Sequence, residues 1–446
     1  MNLGILRLFS LILVFTSLIS ANTGKFDFTL IKKGQENQNT FLIIGGIQGD
    51  EPGGFMAASL IATHYEIKKG SVWIVPNLNF YSIIKRSRGP FGDMNRKFAN
   101  LSQNDPDFGA VKRIKEYITD NKVKLILNLH DGSGFYRKKS INSNYSQNKW
   151  GQSSIIDQNK LTISNYGNLE EISSKVCNHI NSNLIRKRDI YHVKNTKTRL
   201  GDKQMEKTLT YFAINKGKAA FGNEASKKLP LHERTYYHLL AIEKYMDIMG
   251  IEYKRSFNLK PLELKSVIDN DISISFYNNK INLPLEGIRD FVGYFPTSKD
   301  EIQNFKVSNP LMTVIKKENL YSIRYGNRRV ARLLPDYFDI EKDMNSAKIL
   351  IDGKESLINM GSVINVKNDF LVKSQKDIRV NIIGYVNKSK KNESELLVSK
   401  NEIMQKFSLD KKGKVYRVEF YKKNKFAGMV LVNFGSKNLF LAKNGY

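Results

Sequence analysis

Phe41-Leu42-Ile43-Ile44-Gly45-Gly46-Ile47-Gln48-Gly49-Asp50-Glu51-Pro52-Gly53-Gly54 decides how this chain is read. Four consecutive apolar residues, closed off by glycines, fit a short strand buried on both faces. The glycines then allow a tight turn, and Gln48 and Glu51 follow it three residues apart. A strand that ends in such a turn and presents two side chains at that spacing is how many hydrolases hold a metal ion. The usual first donor there is His, and this chain has Gln.

Working outward, the same texture continues to about Gly250. Residues 71–76 (SVWIVP) and 124–129 (KLILNL) read as strands, the second ending at His130, and residues 219–222 as a short third. Between them lie helical patterns over residues 55–65, 108–121, 169–186 and 232–249; Val111, Ile114, Tyr117 and Ile118 supply the apolar spacing of the second. Alternating strands and helices imply an α/β fold, a mixed and largely parallel sheet covered by helices. Sites in open sheets form at the carboxyl ends of strands, and Gln48, His130 and Glu224 are each expected just past one.

After Tyr253 the texture changes to short alternating runs with no long helical pattern. From Ala347 the alternation sharpens, and Lys422-Lys423-Asn424-Lys425 between two apolar runs reads as a hairpin turn. The expected organisation is therefore a signal peptide over residues 1–21 and an α/β domain over 22–251. A small β-barrel-like domain over 252–345 and an immunoglobulin-like β-sandwich over 346–446 complete it.

The leader reading rests on Arg7 before a short apolar stretch and on Ser20-Ala21 as a small-residue cleavage region. No other stretch approaches membrane-spanning length, so stable membrane insertion is not expected and the periplasm is the expected compartment. One cysteine, Cys177, excludes an intramolecular disulfide and any CxxC metal motif; a small buried apolar role suits it. The formal net charge of +28 would suggest nucleic acid in a cytosolic protein. For an exported one, an anionic polymer such as cell wall or an anionic lipid surface fits better than nucleic acid. A compositional bias toward Lys, Asn, Ile and Tyr accounts for the charge equally well, because the lysines are scattered.

Chemistry gathers at five places. Gln48 and Glu51 from one turn and His130 from another strand end make three donors, the number a catalytic zinc takes while keeping one position for water. The loop Arg86-Ser87-Arg88-Gly89-Pro90-Phe91-Gly92-Asp93-Met94-Asn95-Arg96 concentrates cations and an amide. Asn95 and Arg96 side by side can grip a carboxylate, and Arg88 or Arg86 can stabilise an oxyanion. Glu224, following a short apolar strand, can serve as a general base. Each also has a plain structural reading: a hydrogen-bonded His130, a helix cap at Asn95-Arg96, solvated arginines, a Glu224 paired with Lys227 or Lys228.

In order and type, these residues resemble the zinc metallocarboxypeptidases typified by pancreatic carboxypeptidase A, across approximately residues 26–250. That pattern has a strand-terminal His-x-x-Glu, an Arg loop, an Asn-Arg pair, a His after a central strand and a late Glu. Gly45–Gly54 (GGIQGDEPGG) is also similar to the GGIHGxE opening of the bacterial branch that includes the γ-D-glutamyl–diaminopimelate amidases. With Gln in first place, the leader and the β-rich second half, the resemblance narrows to peptidoglycan DL-carboxypeptidases that set helical cell shape in curved Gram-negative bacteria. It implies one Zn2+ held by Gln48, Glu51 and His130, with Glu224 and Arg88 catalytic. Asn95, Arg96 and less strongly Arg86 would bind substrate. The implied partner is a peptidoglycan stem tripeptide, trimmed to a dipeptide by release of meso-diaminopimelate from D-glutamate. Asp131, next to His130, could orient that imidazole; Tyr211 stands at a plausible spacing before Glu224 but is expected to pack on the sheet. Two other readings compete: an LD-carboxypeptidase or amidase on other muropeptides, and an inactive cell-wall-binding pseudoenzyme in which Gln48 marks a lost metal.

Overall fold

The computed structural model describes residues 26–436 except 271, 300, 301, 303 and 387–390, and also residue 439. The leader expected over residues 1–21 lies outside the described residues. The chain divides into two compact units, one ending at Lys265 and one beginning at Ser266.

In chain order the first unit contains β1 (Ile31–Gly34), β2 (Thr40–Ile44), α1 (Pro52–His64), β3 (Tyr65–Lys69), β4 (Ser71–Val75), α2 (Phe80–Lys85), α3 (Phe108–Thr119) and β5 (Val123–Gly132). There follow β6 (Phe135–Tyr136), β7 (Tyr145–Ser146), β8 (Ser153–Ile156), α4 (Leu169–Asn181), β9 (His192–Asn195), α5 (Leu209–Asn215), β10 (Ala219–Ser226), α6 (Leu231–Ile248) and β11 (Glu252–Arg255). Seven strands form one sheet in the order β1-β4-β2-β5-β10-β8-β9. The inner strands β4, β2, β5 and β10 pair in parallel, and β1 and β8 are antiparallel to their inner neighbours. The mixed, largely parallel sheet expected from the alternation is thus present.

β5 runs through the middle, with every residue except Lys124 buried. Phe41 to Ile44 and Leu125 to Leu127 are fully enclosed, which is why both runs lack polar alternation. Each such side chain contributes about 1.5–3 kcal/mol of burial, so the two strands that carry the site also anchor the core.

Four expectations change. α1 starts at Pro52 and takes Gly53 and Gly54 into its first turn, despite their poor helix propensity. A Cβ on Gly53 would stand 2.4 Å from Asp131 Oδ1, and one on Gly54 would stand 2.7 Å from the Leu129 carbonyl oxygen; close approach of helix to strand requires both glycines. His130 and Glu224 lie inside strands and not past their ends, because β5–β10 pairing continues to Ser226 opposite Gly132. A helix, α7 (Pro261–Asn270), occupies a stretch where no long helical pattern was found. Its buried stripe is only Leu264 and Ile268, too short to register as periodicity. β11 pairs back onto β3, which carries the first unit beyond residue 251.

The second unit is β-rich, as expected. Ser273–Phe276, Ile281–Pro284 and Phe305–Val307 form a three-stranded sheet, and Phe291–Thr297, Arg328–Tyr337, Leu320–Tyr325 and Met312–Lys317 a four-stranded one in that order. Two further four-stranded sheets make a β-sandwich. Ala347, Ile349, Phe370 and Val372 from one sheet and Val380, Val418, Phe420 and Val430 from the other share its core. The expected hairpin joins Val415–Lys422 to Lys425–Asn433. Lys423 and Asn424 at its tip have φ of 47° and 64°, the left-handed pair that matches strand twist in a two-residue turn.

Candidate active site

Parallel register sets the site. Ile44 at the end of β2 lies opposite Asn128 of β5, and His130 lies opposite Glu224 of β10. The turn after β2 then brings Gln48 and Glu51 back over His130. Glu51 occupies the N-cap of α1 but makes no capping bond; its carboxylate is turned to the strands instead.

His130 Nδ1 lies 2.9 Å from Glu51 Oε2 and 3.2 Å from Gln48 Oε1, and all three side chains are buried. Gln48 Nε2 donates to Asp93 Oδ1 at 2.7 Å, which fixes the amide with its oxygen toward His130. The same Asp93 accepts from Arg88 Nε at 3.0 Å and from the Asn95 backbone N–H at 3.0 Å. On the far side of the imidazole, Nε2 faces Asn128 Nδ2 at 2.8 Å and Asn95 Nδ2 at 3.4 Å.

These donors suit a divalent cation. Tetrahedral zinc with bonds near 2 Å holds neighbouring ligand atoms roughly 3.3 Å apart, close to the separations just given. A cation on Nδ1 places the imidazole proton on Nε2, which then needs an acceptor. Asn128 Oδ1 is a buried oxygen without a hydrogen-bond partner, and a half-turn of that amide brings it to Nε2. Among the described residues no cluster of three or more His, Cys, Asp or Glu could hold a metal; the third donor here is an amide oxygen, which lies outside those types.

Electrostatics set Glu224 apart. Burial pushes its carboxyl up to about 8; His130 pulls it down, while Glu51 and Asp131 push it further up. A carboxylate poised near neutral pH can take and return a proton. At His130, burial works against the charged ring, but contact with Glu51 and the field of Glu224 outweigh it and hold the pKa above the ordinary value.

Gln48, Glu51, His130, Arg88, Asn95, Arg96 and Glu224 all line one cavity of about 240 Å³. Arg88 is half-exposed and ion-paired with Asp93 and, at 3.4 Å, with Glu51. Asn95 is partly committed to structure: its Oδ1 accepts the Leu209 backbone N–H at 3.0 Å. Arg86 does not join them. It is the exposed left-handed C-cap of α2, outside the residues that line the cavity. Asp131 does not orient His130. Neighbouring residues of a strand face opposite ways, and Asp131 instead accepts from Gly53 N–H at 2.8 Å and Arg234 Nη1 at 2.7 Å, with His238 Nε2 at 3.2 Å. Tyr211 is likewise outside the cavity lining, and Cys177 is buried, its thiol pushed up to about 12 by that burial.

Sequence reasoning passed over Asn128, Asp93, Lys227 and Trp150. Period-two alternation from His130 pointed to Asn128; Trp150 had no local signal. Lys227 does not pair with Glu224 but with Asp50 at 2.7 Å and Glu51 at 3.4 Å, and it lines the cavity, as does Trp150.

Residues 9–269 match the family model described as carboxypeptidase controlling helical cell shape, catalytic. Residues 340–435 match the C-terminal domain of metallo-carboxypeptidase. The chain therefore belongs to the metallo-carboxypeptidase family that controls helical cell shape, and is an enzyme of that class; this sharpens the broader carboxypeptidase A-like resemblance. Its solved relatives include the cell shape determinant protein Csd4 of Helicobacter pylori. The apo form matches with a TM-score of 0.85 and 36% identity over 92% of this chain and 100% of that one. The tripeptide-bound form gives 0.84 and 36% over 92% and 100%. The mDAP-bound form, described as a D,L-carboxypeptidase, gives 0.84 and 37% over 91% and 100%. Comparison with curated proteins gives no match.

Proposed function

We propose that this chain is a periplasmic zinc DL-carboxypeptidase that trims peptidoglycan tripeptide stems to dipeptides, releasing meso-diaminopimelate from D-glutamate. The observation that carries the reading is the convergence of Gln48 Oε1, Glu51 Oε2 and His130 Nδ1 beside Glu224 in one cavity. The tripeptide-bound and mDAP-bound forms of a relative matched over its whole length supply the substrate class. Export accords with the leader-like N-terminus; no helix of the described residues is long and apolar enough to cross a membrane.

Gln48, Glu51 and His130 would hold the ion. When bound, zinc supplies Lewis-acid polarisation of the scissile carbonyl and acidifies a water. The Glu224 carboxylate takes the proton from the attacking water and returns it to the departing amine nitrogen. Arg88, held at the cavity wall by Asp93, supplies positive charge for the developing oxyanion. Arg96, with the Nδ2 of Asn95, holds the terminal carboxylate of the stem, which confines cleavage to the last residue. Lys227 adds a cation for a substrate rich in carboxylates.

The test is incubation with defined muropeptides, with and without chelator, and product identification by mass. Free diaminopimelate from the tripeptide, lost on chelation, is the expected result. Release of D-alanine from a tetrapeptide, or no product with zinc supplied, overturns the reading.

A further inference from the structure

Strand register carries the floor of the cavity one step beyond its last lining residue. Asn128 of β5 pairs with Gly222 of β10, Gly222 with Ile155 of β8, and Ile155 with Lys194 of the edge strand β9. Residues paired across a sheet share a face, so these four make one row. The first three line the cavity; Lys194 ends the row just outside it. Lys194 Nζ donates to the Gln147 carbonyl at 3.0 Å and to the Lys149 carbonyl at 2.8 Å. It stands 4.1 Å from the centroid of the Trp150 ring and 4.7 Å from that of Tyr136.

Lys194 is half-buried, and among the described residues no carboxylate pairs with it. Burial pushes its ammonium down to about 8, with the charge of Glu224 pulling the other way. A cation taken partly out of water without an ion pair costs stability. What this one holds is Trp150. The main chain of Trp150 is fixed separately, its N–H donating to the Ser133 carbonyl at 3.1 Å. Its indole, which lines the cavity, has no hydrogen bond and no aromatic neighbour among the described residues. The Lys194 cation over the ring is therefore its one directional contact, and indole is the ring that binds a cation best. The two carbonyls on Nζ tie the residues just before Trp150 to the same point.

We propose that Lys194 is a positioning residue for the carboxypeptidase reaction, holding the Trp150 indole and residues 147–150 as a preformed wall of the cavity. The inference rests on the reading of that cavity as the place where the stem tripeptide binds. With the cation in place, substrate meets a wall already set. Without it, the indole is ordered anew each time substrate enters, and that ordering is subtracted from binding. No hydrogen bond or ion pair joins Lys194 to Gln48, Glu51, His130 or Glu224, and Gln48 and His130 have supports of their own in Asp93 and Asn128. The loss therefore falls on KM, while kcat stays close to its original value.

The experiment uses the full chain supplied with zinc and compares Lys194→Met, Lys194→Arg, Trp150→Ala and the double variant Trp150→Ala with Lys194→Met. Turnover is read as release of diaminopimelate from free tripeptide. Methionine keeps the length of the side chain and its contact with the rings but removes the charge and both donors. It should raise KM about threefold to tenfold with kcat within about twofold. Lys194→Arg, which keeps a cation over the indole, should restore most of the loss. In the Trp150→Ala background Lys194→Met should add almost nothing. Acrylamide quenching of tryptophan emission supplies a second readout. The chain has two tryptophans, and Trp73 is enclosed in β4, so quenchable emission reports Trp150 and should rise in Lys194→Met. An unchanged KM overturns the proposal, and so does unchanged quenching or full additivity in the double variant. A fall in kcat and melting temperature that Lys194→Arg does not rescue also overturns it, since that is the mark of a merely structural lysine. Failure of the wild-type chain to cleave tripeptide strikes instead at the function of the first unit, and the quenching comparison still decides whether Lys194 holds Trp150.

Discussion

Replacing Asp93 with Ala should loosen the metal site without touching a ligand. Asp93 accepts from Gln48 Nε2 at 2.7 Å, a charge-assisted hydrogen bond in a position where Gln48 is only 1% exposed. Such a bond contributes about 1.5–3 kcal/mol. Without it the amide is free to turn over and present N–H groups where Oε1 now faces His130. At about 1.4 kcal/mol per decade, metal affinity should fall roughly tenfold to a hundredfold, the range typical of lost outer-shell support. Asp93→Asn retains an acceptor and should lose less. The assay is equilibrium competition for zinc against a chelator of known affinity. A second cycle in a Gln48→Ala background isolates the route, because there the Asp93 change should add almost nothing. A change under threefold in the single variant, or full additivity in the double, refutes orientation of Gln48 as the mechanism.

Other consequences follow from the same geometry. Gln48→His should hold zinc more tightly, since the ion favours nitrogen over an amide oxygen; equal or weaker retention after dialysis would count against the ligand assignment. In metal-free protein the Glu224 carboxyl titrates at about 8 against an ordinary 4.5. Its stabilising contribution is therefore full below about pH 4.5 and is lost as pH rises to about 8. Glu224→Gln should flatten that decline in melting temperature between pH 5 and 9, and identical slopes would refute it. Asp131→Ala strands Arg234 and the Gly53 N–H inside the protein, at a cost of about 3–5 kcal/mol. The melting temperature of the first unit should drop by about 10 °C, and a drop under 2 °C would show that the network bears little weight.

Where backbone pattern alone decides, the sequence was a good guide. Uninterrupted apolar runs marked β2, β4 and β5, and the glycine-rich turn announced where Gln48 and Glu51 would stand. Asp93 escaped notice because its importance lies in partners 45 residues away at Gln48 as well as nearby at Arg88, and no local spacing encodes that meeting. Arg88 was preferred over Arg86 only by resemblance; backbone conformation separates them physically, since Arg86 takes the left-handed cap of a short helix. Asp131 was misread by sequence adjacency, although strand alternation already set it on the opposite side from His130. The helix Pro261–Asn270 was missed because its apolar residues Leu262, Leu264, Val267 and Ile268 fall within two turns and only two of them face inward, whereas the burial of Leu264 and Ile268 is plain in three dimensions.

The pairing of His130 with Glu224 across β5 and β10 has a consequence for how this protein can vary. Because strand side chains alternate, removing one residue from Ala219–Asn223 while keeping the strand paired would send Glu224 to the other side of the sheet. The chemistry would vanish although every residue type remained in the sequence. Insertions and deletions are therefore confined to connections outside the central strands, while substitutions can explore the cavity wall one position at a time. Lineages can retune this site by changing letters, but not by changing the count.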